Sequence, residues 1–276
     1  MNVDLHCHST ASDGALSPGE VVRRAAAKGV EVLALTDHDQ LSGLEEAREA
    51  AHEAGIEFVD GVEISVSWRS VTVHVVGLGI DPQHQGLNKG LERVRSGRID
   101  RAREIGRQLQ QAGIEGSFEG AMALAENPSM VSRTHFARYL AQCGRVASTR
   151  EAFRHYLVPG KPGYVSHRWA LLADALRWIV DAGGRAVLAH PGRYGFSAGA
   201  RADLLGEFRA SGGNAIEVVT GSHSPDQYAL FGALATEYGL AASRGSDFHG
   251  PEEGAELGGL PQLDRRLRPV WAGWSS

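Results

Sequence analysis

Three polar side chains in the segment Asp4-Leu5-His6-Cys7-His8 stand two residues apart. On an extended strand this spacing turns Asp4, His6 and His8 to one face and Val3, Leu5 and Cys7 to the other, so that two imidazoles are aimed at one place. The same grammar recurs. Apolar runs end in Asp37, His38 and Asp39, in Glu63, in His190, and in Asp247 and His249, while His74 interrupts the run VTVHVVG. An imidazole buried in such a run is costly unless a ligand or hydrogen bond satisfies it. Imidazoles and carboxylates together form a donor set for borderline divalent cations such as Mn, Fe or Zn, and the lack of cysteine candidates argues against a structural zinc site. Asp and Ser at strand ends would also serve as helix caps, but histidine would not, so the set reads as metal-ligating. No nucleotide phosphate loop, acyl-transfer elbow or dinucleotide fingerprint stands in a matching context.

Donors so far apart in sequence need a fold that gathers them. The apolar runs VDL, VEVLALT and IEFVDGVEIS alternate with the amphipathic stretches SPGEVVRRAAAKG and SGLEEAREAAHEAG. That is βαβαβ order, which predicts a mainly parallel sheet or barrel. Ser17 with Glu20 and Ser42 with Glu45 predict capping boxes, and Gly29 and Gly55 predict the helix stops. After a further strand, VTVHVVGLGI, the pattern changes near Pro82 to polar, arginine-rich helix that continues to about Tyr164. Alternation then returns, with helices near 169–182, 201–211 and 225–238 and strands RAVLAH, NAIEVVT and LAASRG. The expectation is one α/β barrel, residues 1–82 and 165–276, interrupted by a helical insertion, 83–164, that serves as a lid or substrate domain. The carboxyl ends of parallel barrel strands converge on one mouth, which is where the polar groups fall.

The bulk properties narrow the partners. At 276 residues and 42% hydrophobic content the chain can bury a large core, and a net charge of -5 leaves no basic face for duplex DNA. Any nucleotide recognition must come from a local pocket. Cys7 and Cys143, far apart, make neither a disulfide framework nor a zinc knuckle, which fits a reducing compartment. No basic-then-apolar leader and no run of the ~20 apolar residues of a membrane span is present. A cytoplasmic protein without membrane contact is expected. Oligomeric state is not legible.

Taken in order, DLHCHSTASDG, TDHD, GVEIS, LAHPGRY and GSDFHG, spanning residues 4 to 250, closely resemble the motifs of the polymerase and histidinol phosphatase (PHP) family of amidohydrolase-like metalloenzymes. The resemblance implies a distorted seven-stranded β/α barrel holding up to three divalent metals, with Mn expected and Fe or Zn as alternatives. One metal would take His6, His8, Glu63 and Asp247; Glu63 would bridge to a second, completed by His74 and His190; a third would take Asp13, His38 and His249. His6, His8, Glu63, His190 and Asp247 would then be the catalytic set. Close divalent ions suit hydrolysis of a phosphoric ester.

Within the family, SRTHFARYL and GKPGYV make the insertion similar to that of stand-alone bacterial phosphoesterases acting on nucleotides. These remove the 3'-phosphate from nucleoside 3',5'-bisphosphates, and some trim short RNA from its 5' end. The implied substrate is a nucleotide or short oligonucleotide. Histidinol phosphate phosphatase, 5'-3' exonuclease on short RNA, and a non-catalytic metal-stabilised module are the alternatives. Arg133, His135, Arg193, Lys161 and Arg168 are the candidates to grip substrate phosphates. His135 or a metal-bound water is a candidate general acid, and Tyr164, Tyr194 and Phe136 are candidates to stack on a base. Arg93, Arg95, Arg98, Arg101 and Arg103 read as a solvated helix surface. His52 and His84 read as surface residues, with His155, His167 and His223 undecided.

Overall fold

The computed structural model describes residues 1–274. Its elements, in chain order, are β1 (Val3–Asp4), α1 (Pro18–Ala27), β2 (Val32–Leu35), α2 (Leu44–Ala54), β3 (Glu57–Trp68), β4 (Val71–Leu78), α3 (Gln85–Arg95), α4 (Arg98–Gln111), α5 (Ser117–Ala123), α6 (Arg133–Gln142), α7 (Thr149–Ala152), β5 (Ala170–Leu171), α8 (Leu172–Asp181), β6 (Arg185–Leu188), α9 (Ala198–Ala210), β7 (Ala215–Thr220), α10 (Pro225–Glu237) and β8 (Ala241–Gly245).

Seven strands follow one another around the sheet in the order β1-β2-β3-β4-β6-β7-β8, and the two-residue β5 adds to β3. All neighbours are parallel except β4, which runs against both β3 and β6. The β3–β4 hairpin turns on Arg69 and Ser70, both at positive φ (44° and 69°). That is the twist-matching geometry of two-residue hairpin loops, reached here without glycine or asparagine. Between the first and last strands the barrel is stitched by Leu5 N–H donating to Arg244 O (3.0 Å), Asp247 N–H to His6 O (2.8 Å) and His8 N–H to Phe248 O (2.9 Å). Gly245 permits the approach: a Cβ there would lie 2.3 Å from His6 Cβ. The result is a distorted seven-stranded β/α barrel.

Strand alternation divides the core. Val32 and Ala34 of β2 join Val3, Leu5, Val76, Leu78 and Val187 in the barrel interior, whereas Leu33 and Leu35 pack outward against α1 and α2. Burial on both faces is the signature of a parallel strand covered by helices. Regular pairing of β1 stops at Asp4, and Cys7 packs outward while Val3 and Leu5 pack inward. The expectation that Asp4 shares a face with His6 and His8 therefore fails. Asp4 instead accepts from Ser246 N–H and Gly258 N–H, both at 2.8 Å, tying down the barrel seam.

The Ser17–Glu20 capping box forms, with Pro18 opening α1 and Gly29 (φ 75°) just past its end. The Ser42–Glu45 box does not form. Gln40 Oε1 takes Leu41 N–H (2.8 Å) and Ser42 N–H (3.3 Å), so α2 starts one residue later on an uncapped Gly43. Gly55 (φ 69°) ends α2 as expected. In the middle third, α3 lays Leu87, Leu91 and Val94 into the core shared with β3, β4 and α8. Helices α4 to α7 gather round a core of their own, with Ile105, Leu109, Phe136, Leu140 and Leu157 at its centre. Phe136 is thus a core residue and not a platform for a base. Among the described residues no helix is long and apolar enough to cross a membrane.

Candidate metal centre

Six of the nine expected donors, His6, His8, His38, His190, Asp247 and His249, lie within four residues past a strand end, Glu63 lies within β3 and Asp13 in the turn that follows β1; the ninth, His74, lies on the antiparallel β4. Its position is still set by register. Ser65 pairs with His74 and Glu63 with Val76, so His74 and Glu63 are diagonal neighbours on one face of the hairpin. Three positive-φ residues other than glycine, Asp39 (48°), His190 (27°) and Asp247 (57°), stand around the mouth. Backbone held in such sparsely populated regions persists where surrounding structure over-determines it, commonly at functional sites.

Glu63 is the hub. Its Oε1 lies 2.9 Å from His74 Nδ1, 2.9 Å from His190 Nε2 and 3.4 Å from His6 Nε2. Its Oε2 lies 2.8 Å from His38 Nδ1 and 3.5 Å from His8 Nε2. Asp247 Oδ1 is 3.3 Å from His8 Nε2, 3.5 Å from His6 Nε2 and 3.6 Å from His249 Nδ1. Asp13 Oδ1 completes the far side, 3.5 Å from His249 Nε2 and 3.9 Å from His38 Nε2. The donor atoms fall into overlapping groups: His8, Asp13, His38 and His249; His6, His190 and Asp247; His6, His8 and Glu63; and His38, Glu63 and His74. All nine expected donors are therefore brought together.

These residues fit divalent cations for reasons beyond their types. His8 Nδ1, Asp13 Oδ1 and His190 Nδ1 are enclosed yet lack a hydrogen-bond partner, and His38 Nδ1 and Glu63 Oε2, though 2.8 Å apart, are not aligned as a hydrogen bond. His6 Nε2 and His8 Nε2 face each other at 3.2 Å. Buried polar atoms are rarely left so, and a shared cation satisfies several at once. The electrostatics agree. Burial alone would raise Asp13, Glu63 and Asp247, but the surrounding imidazoles hold all three well below the usual carboxylate range. Burial would lower His6, but Glu217, Glu63 and Asp247 push it well above the ordinary histidine range, and Glu63 and Asp13 likewise push His38 up to about 9. His8, buried beside His249 and His38, is pushed down to about 3, and burial takes His74 to about 4.

Several supporting residues escape a motif-based reading. Glu217, inside β7, accepts from His6 Nδ1 at 2.7 Å and from His190 N–H at 2.6 Å. Its signal in the sequence is a glutamate in the otherwise apolar run NAIEVVT. Asp37 binds Ser9 N–H (2.7 Å), Ser9 Oγ (2.6 Å) and Ser12 Oγ (2.5 Å), with burial raising its carboxyl to about 6. Asp39 binds Ser65 N–H and Oγ and pairs with Arg98. Histidine does cap helices in this protein. His84 Nδ1 accepts from Leu87 N–H at the start of α3, and His135 Nδ1 accepts from Ser132 N–H (3.0 Å) in a capping box on α6. His135 is buried, its Nδ1 is used by the cap, and it does not line the cleft.

Above the donors lies a cleft of about 80 Å³, floored by Asp13, Glu63, His190 and Asp247 and walled by Arg98, Arg101, Arg133 and Arg193. Arg193 Nη1 donates to Asp247 Oδ2 at 2.8 Å. Arg133 and Arg193 thus both line the cleft. Lys161 and Arg168 do not; both lie exposed on the irregular stretch after Leu157. Conversely, Arg98 and Arg101 are not solvated. The start of α4 packs against the mouth, leaving Arg98 only 4% exposed, whereas Arg93 and Arg103 face solvent and Arg95 donates to Asp39 O. The cleft aromatics are Phe153 and Trp169 rather than Tyr164 or Tyr194. Tyr194 Oη is engaged below, accepting from His74 N–H and donating to Ala189 O. His52 and His155 are exposed, His167 packs on Trp169, and His223 is structural, accepting from Gly192 N–H and donating to Val218 O.

A neighbouring chamber of about 490 Å³ shares Thr134, Phe153, Arg193, Asp247 and His249 with the cleft.

Known proteins agree with this geometry. A 3',5'-nucleoside bisphosphate phosphatase from Chromobacterium violaceum is 55% identical, covering 98% of this chain and 95% of that protein. A 5'-3' exoribonuclease from Haemophilus influenzae is 45% identical, covering 97% of each, and the 5'-3' exoribonuclease Rnm of Escherichia coli is 41% identical over 98% of this chain and 93% of its own. A solved structure from Chromobacterium violaceum, described as an amidohydrolase with bound sulfate and no metal, superposes with a TM-score of 0.96 at 54% identity, covering 99% of this chain and 95% of that one. The PHP domain model matches residues 4–157, the stretch that supplies six of the donors and the walls of the cleft from Ser65 to Phe153, and with full-length relatives on either side of it the chain belongs to the PHP domain family.

Proposed function

We propose that this chain is a metal-dependent phosphoesterase that removes the 3'-phosphate from nucleoside 3',5'-bisphosphates, giving a nucleoside 5'-monophosphate and phosphate. The observation that carries the reading is the juxtaposition of nine convergent imidazole and carboxylate donors with four arginines across one small cleft. Such a site suits a phosphoryl group, whose oxygens need cationic partners on every side. A bisphosphate phosphatase that aligns over almost the whole chain supports the substrate class.

Up to three divalent ions, with Mn preferred, would be held by His6, His8, Glu63 and Asp247, by Glu63, His74 and His190, and by Asp13, His38 and His249. Bound there, such ions would activate water and neutralise phosphoryl oxygens. The chain's own groups prepare the site for this. Glu217 accepts the Nδ1 proton of His6, which turns the Nε2 lone pair toward the cluster. Arg193, tied to Asp247, would orient the phosphoryl oxygens at the floor. The helical insertion, 83–164, would act as the lid that supplies Arg98, Arg101 and Arg133 and limits water in the cleft, and the adjoining chamber offers room for a nucleoside. Two free cysteines fit a cytoplasmic setting.

A second activity, 5'-3' exonuclease on short RNA, is supported by two full-length relatives named for it and by a chamber wide enough to continue a chain beyond the cleft. Analysis of the products, inorganic phosphate and mononucleotides, formed with Mn from adenosine 3',5'-bisphosphate, AMP, histidinol phosphate and a short 5'-phosphorylated RNA tests both. Release from the bisphosphate with AMP as product is expected. Turnover of RNA alone would move the function to the exonuclease, turnover of histidinol phosphate alone would move it to that phosphatase, and no turnover with metal bound would leave a binding module.

A further inference from the structure

The donor group made by Asp13, His38 and His249 draws its support from outside the barrel. Glu63 and His74 are held by the β3–β4 ladder, and Glu217 of β7 holds His6 and His190. Asp13 and His249 lie on no strand, one in the turn before α1 and the other in the loop past β8. Helix α6 holds both. Ser132, its N-cap, donates Oγ–H to Asp13 Oδ2 at 2.7 Å, which leaves Asp13 Oδ1 enclosed, unpartnered and 3.5 Å from His249 Nε2. Further along the same helix, Arg138 donates Nη2 to His249 O at 3.1 Å and Nη1 to Gly14 O, the carbonyl next to Asp13, at 3.4 Å.

Arg138 lines neither the cleft nor the chamber. It forms a two-pronged pair with Glu253, Nε to Oε1 at 2.8 Å and Nη2 to Oε2 at 2.6 Å, so its charge is already matched. A planar guanidinium pinned to a carboxylate fixes the directions of its remaining N–H groups, and here those meet carbonyls on the two donor loops. The loops also touch each other: Ala15 N–H donates to His249 O at 2.6 Å, and a Cβ on Gly250 would lie 2.8 Å from Ala15 Cβ. Within this frame the His249 ring donates Nδ1–H to Asp247 O at 2.9 Å, which leaves the Nε2 lone pair toward Asp13. A helix outside the sheet thus sets the spacing of two donors that the sheet does not.

We infer that Arg138, with Ser132, is a positioning residue for the third donor group, and that a divalent ion bound there and the seating of α6 on the barrel stabilise each other. The inference rests on the metal-centre part of the proposed function and adds a coupling to it. Helix α6 also carries Arg133 and Thr134 of the cleft wall, so occupancy of this group would decide how firmly that wall stands in place. Linkage makes the coupling reciprocal: the factor that α6 contributes to ion affinity is the factor that the ion returns to the seating of α6.

The test uses Arg138→Met, Ser132→Gly and, to leave no unpaired carboxylate, Arg138→Met with Glu253→Met, all in the full chain, with circular dichroism as the folding control. Glycine keeps most of a helix N-cap while removing the hydroxyl. His249→Ala marks the ion that depends on the third group, and it preserves both α6 contacts because Arg138 binds the His249 carbonyl. Mn is titrated against a chelator without substrate. The ion lost in His249→Ala is expected to bind about 10- to 100-fold weaker in each variant, as for other partners that orient a ligand, while the remaining ions keep wild-type affinity. Amide hydrogen exchange supplies the reverse measurement: Mn should slow exchange in α6 by a similar factor in the wild type and leave it unchanged in His249→Ala. Wild-type affinity for every ion in folded variants would make Arg138 a packing residue and overturn the inference. Equal weakening of all ions would overturn it too, as would α6 exchange indifferent to Mn or a His249→Ala chain that loses no ion. Since neither arm uses substrate, these outcomes stand whether or not the chain hydrolyses a nucleotide.

Discussion

Glu217 sits beneath two donors at once, through its hydrogen bonds to the His6 ring and the His190 backbone. A carboxylate in that position fixes the tautomer and the ring orientation of a ligating histidine. Glu217→Gln keeps the shape but removes the charge, and we expect a chelator-competition titration to show about 10- to 100-fold weaker metal affinity in a folded protein. Affinity equal to wild type would reduce Glu217 to a packing role. At this scale the donors were legible because histidine is conspicuous after an apolar strand. The residues that hold them were less so. A lone glutamate in β7, or an arginine among five in a polar helix, looks the same whether it faces solvent or a neighbour, and Arg98 and Arg101 differ from Arg93 and Arg103 only in what α4 packs against. His135 shows the converse, a histidine near a motif whose ring is used by its own helix cap.

Helix α4 and the segment after β2 meet through a buried ion pair. Arg98 is paired with Asp39, which also takes Ser65 N–H at 2.8 Å, so α4, the segment after β2 and β3 are joined at one carboxylate beside His38. Replacing Arg98 by Met would leave that carboxylate charged and unpaired, a loss of about 3–5 kcal/mol. Denaturant unfolding of Arg98→Met against wild type measures it, and a loss under about 1 kcal/mol would show that the pair contributes little, as exposed pairs do. Elements with a clean period were legible: β2, α1 and β7 fall where apolar spacing and caps put them. The β3–β4 hairpin was less so, since its turn uses Arg69 and Ser70 instead of the glycine or asparagine that marks such a loop. The start of α2 moved because a glutamine side chain claimed the donors that Ser42 was expected to organise.

For the whole molecule, the donor cluster makes stability depend on pH in a way that metal should reverse. Without metal, the folded state holds His6 protonated well above the ordinary range and His38 up to about 9, against 6.5 in an unfolded chain. Between those values the folded protein binds more protons, so this contribution is full below about pH 6.5 and is lost as pH rises through about 9, at about 1.4 kcal/mol per pH unit for each proton. Thermal unfolding of the chelated protein across this range should show the decline, and Mn should abolish it by displacing the protons; a flat profile without metal would refute the assignment. The barrel itself was legible because alternating runs and gathered polar ends imply it. The seating of helices α4 to α7 was not, since it rests on isolated polar contacts between distant segments, such as Ser132 Oγ donating to Asp13 (2.7 Å) and Arg138 to Glu253 (2.6 Å). The seam between the first and last barrel strands has a consequence for biosynthesis. The segments that close it are also those that carry His6, His8, Asp247 and His249, and the last two are the final donors to leave the ribosome. A nascent chain therefore presents six of the nine donors once His74 is made but completes the set only after His249, so full metal loading, like closure by the last strand, is a late step in maturation.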